Sequence, residues 1–277
     1  MSVTARQLES AEWGACLVSD DDLVLLSELA GVSMDEAATS VASYRLDSMA
    51  QAWRQRRPES PAEIRAFYRE TQLYILEQLA WHGSRQYEPY LRRLDRMAAL
   101  WPPSSHPRAL DFGGGIGTAA IRLAERGYDV ALAEVPGRTL DFATARFEQR
   151  GLRTAIESLA TDQALLETEP WDLLVYYDVV EHLLDPEVTT SKLIGALRTG
   201  GGAAIVAGFT PGDERYPHHL PSTEARLGGY RWDAFLRRLG LREVDDALYV
   251  KRGAAGRAWG RARGLAWSGR EALRQRR

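Results

Sequence analysis

Leu110-Asp111-Phe112-Gly113-Gly114-Gly115-Ile116-Gly117 decides the fold: a short apolar run, Ala109–Phe112, enters a glycine loop, and a helical pattern, Thr118–Arg126, leaves it. Glycines let the backbone turn tightly and let a ligand approach without a Cβ clash. The helix that follows starts with free N–H groups. Spacing separates the ligands such a loop suits. A dinucleotide fingerprint needs G-x-G-x-x-G. Counted from Gly113 its third glycine falls on Thr118, and counted from Gly115 on Ala120. A phosphate loop needs G-K-[ST], and the loop holds no lysine. What fits is D-x-G-x-G-x-G, carried by Asp111, Gly113, Gly115 and Gly117. An acid just before the loop suits a cationic or amino-bearing ligand, because a carboxylate repels phosphate. Glu134 ends the next apolar run, 19 residues beyond Gly115. An acid near that distance accepts hydrogen bonds from both hydroxyls of a ribose.

Working outward, short apolar runs alternate with helical patterns. Asp129–Val135, Thr154–Ile156, Trp171–Tyr177 and Ala203–Ala207 are strand candidates, and Arg138–Arg150 and Pro186–Arg198 are helix candidates between them. Such alternation predicts a parallel sheet with helices on both faces. Tyr230–Leu239 reads as a late helix, and Leu241–Val244 with Leu248–Val250 as a closing hairpin turned at Asp245-Asp246. Upstream, the first hundred residues read as helices. Ser33-Met34-Asp35-Glu36 and Ser60-Pro61-Ala62-Glu63 both fit the capping box. Leu91, Leu94 and Met97 continue the helical spacing, and Trp101-Pro102-Pro103-Ser104-Ser105 reads as a linker.

The 277 residues suffice for one large domain or a domain plus a smaller one. With 45% hydrophobic and 26% charged residues, disorder, collagen and coiled coil are excluded for the whole chain. No apolar run is long enough to span a membrane, and no basic-then-apolar signal opens the chain. A single cysteine, Cys16, allows neither an internal disulfide nor a thiolate metal site. The expected setting is cytoplasmic. The net charge of −3 hides an asymmetry, since residues 1–50 hold nine acids against two arginines, while residues 251–277 hold nine bases against one acid. The acidic stretch is expected to be a solvated face.

Together these residues resemble a class I S-adenosylmethionine-dependent methyltransferase over residues 106–252. Asp111–Gly117 resembles that family's first motif and Glu134 its ribose-binding acid. Trp171–Val175 followed by Asp178–Pro186 resembles its fourth-strand segment, and Arg198–Gly202 followed by Ala203–Val206 the turn into its fifth strand. Gly114 stands where the family usually has Cys, a departure expected to be neutral. The resemblance implies an α/β fold with a doubly wound, mostly parallel seven-stranded sheet, ordered third, second, first, fourth, fifth, seventh, sixth. It implies S-adenosyl-L-methionine over the carboxyl ends of the first four strands, bound by Asp111, Gly113, Gly115, Gly117, Glu134 and Asp178, with Asp162 as the adenine contact. Residues 1–105 carry no such resemblance and are expected to form an N-terminal helical substrate or lid subdomain. Residues 253–277 are expected to form a separate basic tail.

Methyl transfer from a sulfonium is an in-line displacement, so the enzyme chiefly aligns the reacting atoms. A hydroxyl acceptor also needs a base or a metal. Histidine is the natural base near neutrality, and the chain has His82, His106, His182, His218 and His219. His182 lies just past the fourth strand, and His218 and His219 lie in the loop Thr210–Pro221 after the fifth, so these three are the catalytic candidates. The plainer role for His182 is to cap a helix or position backbone. Asp178, Glu181 and His182, with His219, also resemble the Glu-x-x-Glu-His plus later His metal site of small-RNA 2′-O-methyltransferases and some ubiquinone-pathway O-methyltransferases. Asp178 is one methylene shorter than the family's Glu, and a metal-free site is the expectation. Mg²⁺, Mn²⁺ or Zn²⁺ would suit the oxygen and imidazole donors otherwise. The Asn/Asp-Pro-Pro-Tyr/Phe segment of amino-methylating nucleic-acid enzymes is absent, so no specific nucleic-acid partner is expected.

The expected activity is O-methylation of a small-molecule or glycan acceptor. The alternatives are N- or C-methylation, or non-catalytic cofactor binding. An NAD-dependent oxidoreductase is weakened by Thr118. Tyr68, Tyr74, Trp81, His82, Tyr87 and Tyr90 are expected to form a helix–helix core, with an aromatic-lined acceptor pocket as the alternative. The tail is expected to be flexible or packed on the acidic N-terminal region, with weak contact to an anionic membrane surface as the alternative.

Overall fold

The chain begins with a hairpin where the sequence predicts helix. In the computed structural model, which describes residues 4–152, 154–158, 170–210 and 214–253, β1 (Ala5–Ser10) pairs antiparallel with β2 (Gly14–Ser19). Gly14 takes a φ of 70° at the turn, a conformation that favours glycine. Cys16 and Val18 are buried, and the exposed apolar Leu17 between them blurs the strand pattern. Six helices follow: α1 (Asp20–Ala30), α2 (Met34–Ser43), α3 (Leu46–Arg56), α4 (Pro61–Glu70), α5 (Leu73–His82) and α6 (Glu88–Leu100). Both predicted capping boxes form, Ser33 with Glu36 on α2 and Ser60 with Glu63 on α4. Asp162 and residues 254–277 lie outside the described residues, so the adenine contact and the tail expectations are not addressed by the structure.

The main sheet has seven strands: β3 (Arg108–Phe112), β4 (Asp129–Glu134), β5 (Thr154–Ser158), β6 (Trp171–Tyr177), β7 (Leu197–Val206), β8 (Leu241–Asp245) and β9 (Leu248–Lys251). Their order is β5-β4-β3-β6-β7-β9-β8, the order implied by the resemblance. The first five are parallel, and β9 runs antiparallel to β7. β8 and β9 form the predicted hairpin. Among the described residues the remaining α-helices are α7 (Thr118–Ala124), α8 (Arg138–Gln149), α9 (Pro186–Ala196), α10 (Pro221–Leu227) and α11 (Tyr230–Arg238).

Side chains of one strand alternate between the sheet's two faces, and both faces are covered. Leu110, Phe112, Leu174 and Tyr176 pack with Ile194 and Trp232 on one face. Ala109, Leu173 and Val175 pack with Leu94, Met97 and Trp101 on the other. Buried on both sides, these strands read as near-continuous apolar runs. Trp101, read as the start of a linker, is 6% exposed, and its indole N–H donates to the Gly200 carbonyl at 2.8 Å. A Cβ at Gly202 would lie 2.7 Å from the Trp101 ring. β7 also starts earlier than the predicted run, since Leu197 pairs with Trp171 before a register shift.

The acidic N-terminal stretch is not wholly a solvated face. Asp22 is buried and accepts hydrogen bonds from Arg146 at 2.9 and 3.0 Å and from Arg150 at 3.0 Å. Both arginines hold its carboxyl below the ordinary value despite burial. Nearby, Ile116 of the glycine loop and Phe142 of α8 join the core of α1, α2 and α5. The N-terminal elements thus pack directly on the loop that decides the fold.

Candidate active site

The strand end, the glycine loop and the first turn of α7 are tied by two carboxylates. Asp111 accepts the N–H of Ala120 at 3.0 Å, and burial pushes its carboxyl up to about 7. Glu134 accepts the N–H of Gly115 at 2.8 Å with one oxygen and that of Val135 at 2.6 Å with the other. Burial raises Glu134 as well, and those two N–H groups partly offset it. Gly113, Gly115 and Gly117 all have φ between 55° and 75°, where side chains are disfavoured. A Cβ at Gly114 would lie 2.4 Å from the Asp111 carboxylate and from Leu132. Gly114 is therefore no neutral departure here, because the Asp111 carboxylate occupies the space a side chain would need.

From above, α5 closes on this loop. The Gln78 side-chain oxygen accepts the N–H of Ile116 at 2.8 Å. No local pattern marks Gln78, since its partner lies 38 residues away. Gln78 and Tyr74 stand between two cavities of about 290 and 300 Å³ and line both. The second cavity is bounded by Gly113, Gly115, Glu134, Val135 and Val179. This donor set fits S-adenosylmethionine: an acid for the ribose diol, apolar side chains for a base, and glycines where a Cβ would obstruct. Asp111, Gly113 and Asp178 border the first cavity, on which the methionyl part would open.

The three candidate histidines, distant in sequence, come together. Leu220 N–H donates to the Glu181 carbonyl at 2.8 Å, which folds the loop after β7 back over the turn Val180–His182. His182 stacks on His218 with ring centroids 5.3 Å apart and meets His219 edge-on at 4.8 Å. Their ligating nitrogens all lie within 4.8 Å of one another. His182 Nδ1 is 3.1 Å from the Tyr68 hydroxyl, and His219 Nδ1 is 2.9 Å from Thr210 Oγ1. Burial and mutual repulsion push His182 well down, and His218 to about 3. Both imidazoles are therefore neutral near pH 7.

Beside them lie two acids, Glu181 buried and Asp178 half-buried. Asp178 holds a left-handed φ of 50°, uncommon for a side-chain-bearing residue. Glu181 accepts the Gly208 N–H at 2.9 Å with one oxygen. Its other oxygen, Asp178 Oδ2 and His218 Nδ1 have no hydrogen-bond partner among the described residues. Burial raises both carboxyls, and each charge would oppose the other. The aromatic cluster is core and cavity wall together: Tyr74, Trp81, His82, Tyr87 and Tyr90 line the first cavity and Tyr68 the second. His82, its Nδ1 2.9 Å from Thr118 Oγ1, belongs to that wall, and His106 borders neither cavity.

A family model described as a methyltransferase domain matches residues 81–233, more than half of the chain. The chain is a class I S-adenosylmethionine-dependent methyltransferase. Among curated relatives of this methyltransferase, the tRNA 5-carboxymethoxyuridine methyltransferase of Escherichia coli (strain K12) is 35% identical over 116 residues, 41% of this chain and 44% of that protein. The chain thus spans less than half the length of that relative. The ubiquinone biosynthesis O-methyltransferase of Roseobacter denitrificans is 33% identical over 172 residues, 56% of this chain and 68% of that protein. A solved O-methyltransferase family protein from Burkholderia thailandensis is 14% identical, with a TM-score of 0.49, over 84% of this chain and 73% of its own. Among the described residues, no helix of the methyltransferase is long and apolar enough to cross a membrane.

Proposed function

We propose that the protein methylates a hydroxyl of a small-molecule or glycan acceptor seated between the N-terminal helices and the loop after β7. The observation that carries this reading is the cluster of His182, His218 and His219 at the first cavity, with the first two held neutral. Neutral His182 and His218 leave the cluster without their positive charge, so a cation is not repelled there. His219 is the base of this reading, with its Nδ1 held 2.9 Å from Thr210 Oγ1. Tyr68 orients His182 in the same manner. Bound S-adenosylmethionine supplies an activated methyl group on a sulfonium, and Glu134 with the loop glycines would hold its nucleoside. The remaining work of the chain is alignment and exclusion of water.

The described lining of the first cavity holds Glu77, Asp111, Asp178 and Glu181 and no Lys or Arg. This favours an uncharged or cationic acceptor over a polyanion, unlike the tRNA in the name of the Escherichia coli relative. The name of the Roseobacter relative supports oxygen as the methylated atom. The test is a screen with isotopically labelled S-adenosylmethionine against a metabolite extract, with the product located by mass spectrometry. The reading expects an O-linked label; an N- or C-linked label would overturn it. With the acceptor in hand, His219→Asn should lower turnover about 100-fold or more with cofactor affinity unchanged. Full activity would discard the base.

A second reading is favoured by the unpartnered oxygens of Asp178 and Glu181. The His182, His218 and His219 nitrogens lie within 4.8 Å of one another, and such imidazole and oxygen donors suit a divalent cation. Dialysis against a chelator distinguishes the two. Loss of activity restored by added Mg²⁺, Mn²⁺ or Zn²⁺ supports the metal, and undiminished activity supports the metal-free base.

A further inference from the structure

Glu77 is a cavity-lining carboxylate to which neither reading gives a role beyond its charge. It lies on α5 and borders the first cavity but not the second. The Tyr44 hydroxyl donates to its Oε2 at 2.7 Å, the one hydrogen bond recorded for this side chain among the described residues. No described ion pair includes it. Burial pushes its carboxyl up to about 7; the bond from Tyr44 opposes this, and the nearby Glu12 carboxylate adds a smaller upward push. A carboxylate withdrawn from water without a positive partner is costly. The surroundings are aromatic. Trp13, Tyr74 and Tyr216 pack against the cluster that contains Tyr44, and all three line the same cavity as Glu77. Trp13 also stacks on Tyr44 at 5.7 Å with the rings 6° from parallel.

An anionic oxygen among aromatic rings is the chemistry that selects an ammonium group: the carboxylate accepts its N–H bonds, and ring faces attract its charge. We infer that the acceptor carries a protonated amine and that Glu77, within the wall of Trp13, Tyr74 and Tyr216, is the residue that selects it. This inference rests on the small-acceptor reading above. A second source of the same chemistry is the α-ammonium of S-adenosylmethionine itself. Because the methionyl part would also open on the cavity that Glu77 lines, the cofactor-affinity arm of the test separates the two sources.

The test is equilibrium binding, so it needs neither turnover nor the natural acceptor. Tyramine, tyrosol and phloretic acid are phenols of matched shape whose side chains end in an ammonium, a hydroxyl and a carboxylate. Each is titrated into the protein saturated with S-adenosylhomocysteine at about pH 8, where Glu77 is ionised. Tyramine should bind about tenfold more tightly than tyrosol, with phloretic acid weakest. Glu77→Gln keeps the shape and the bond from Tyr44, and should bring tyramine within about threefold of tyrosol with S-adenosylhomocysteine affinity unchanged. Phloretic acid binding as well as tyramine, a preference that survives Glu77→Gln, or no binding of any of the three at millimolar concentration would each overturn the inference. Loss of S-adenosylhomocysteine affinity in Glu77→Gln, with an unchanged thermal melt, would assign Glu77 to the cofactor's ammonium instead. An N- or C-linked label in the extract screen would sink the O-methylation reading and leave this binding order untouched.

Discussion

Two residues show how narrowly the site is held. At position 114, any side chain must displace the Asp111 carboxylate, 2.4 Å from the Cβ position, and so break its bond to the Ala120 N–H. Gly114→Ala should therefore cost about 1–3 kcal/mol of stability and weaken S-adenosylhomocysteine binding; a thermal melt and a calorimetric titration read the two. An unchanged melt would mean that Asp111 gives way freely. His82 supplies a pH signature. It stacks on Tyr87 at 4.0 Å, and burial pushes it from 6.5 down to about 3. Above pH 6.5 it is neutral folded or unfolded. Between 6.5 and about 3 only the unfolded chain takes up its proton, so the stability this residue contributes falls as pH falls. His82→Phe removes that penalty. Its destabilisation relative to wild type should shrink by about 2.3 kcal/mol between about pH 6.5 and pH 4.5, measured by urea unfolding at the two values. An equal difference at both would mean that His82 titrates normally. The glycine pattern was legible from spacing alone, because each glycine answers to its neighbours. Gln78, Tyr68 and Glu77 were not, because their roles depend on the Ile116 N–H, His182 and Tyr44, which only the fold brings near.

At the scale of elements, signals contained within one element were legible. The boxes of Ser33 and Ser60 marked the starts of α2 and α4, and the apolar runs marked the parallel strands. The β1–β2 hairpin was hidden, because its strands bury few apolar residues beneath charged neighbours. Leu197 of β7 was hidden too, since its place depends on pairing with Trp171 across a register shift. The joint between α1 and α8 is of the same kind: Asp22 and Arg146 are 124 residues apart, 7% and 8% exposed as side chains, and bonded through both carboxylate oxygens. Removing one partner of a buried pair strands the other charge. Asp22→Ala should therefore cost about 3–5 kcal/mol, read as a lower urea midpoint with an unchanged slope. A loss below about 1 kcal/mol would place this bridge among the weak surface pairs.

For the whole molecule, the sheet order was legible through the resemblance of four short motifs. The cavity walls were legible only in part: the aromatic residues of α5 and of the segment before α6 stood out, but Trp13, Leu46 and Tyr216 reach the first cavity only through the fold. The result is a methyltransferase sheet whose glycine loop is covered by the N-terminal helices, with Gln78 at the junction of a nucleoside-side cavity and an acceptor-side cavity. The placement of the cofactor is the claim on which the acceptor, the base and Glu77 all depend. Its most direct test is a calorimetric titration of S-adenosylhomocysteine and of NAD⁺ into wild type and Glu134→Ala. The account predicts one-to-one binding of S-adenosylhomocysteine, no heat with NAD⁺, and a loss of about thirtyfold or more in Glu134→Ala, since two charge-assisted bonds to the ribose go. Equal affinity in the two proteins, or binding of NAD⁺ in place of S-adenosylhomocysteine, would contradict it.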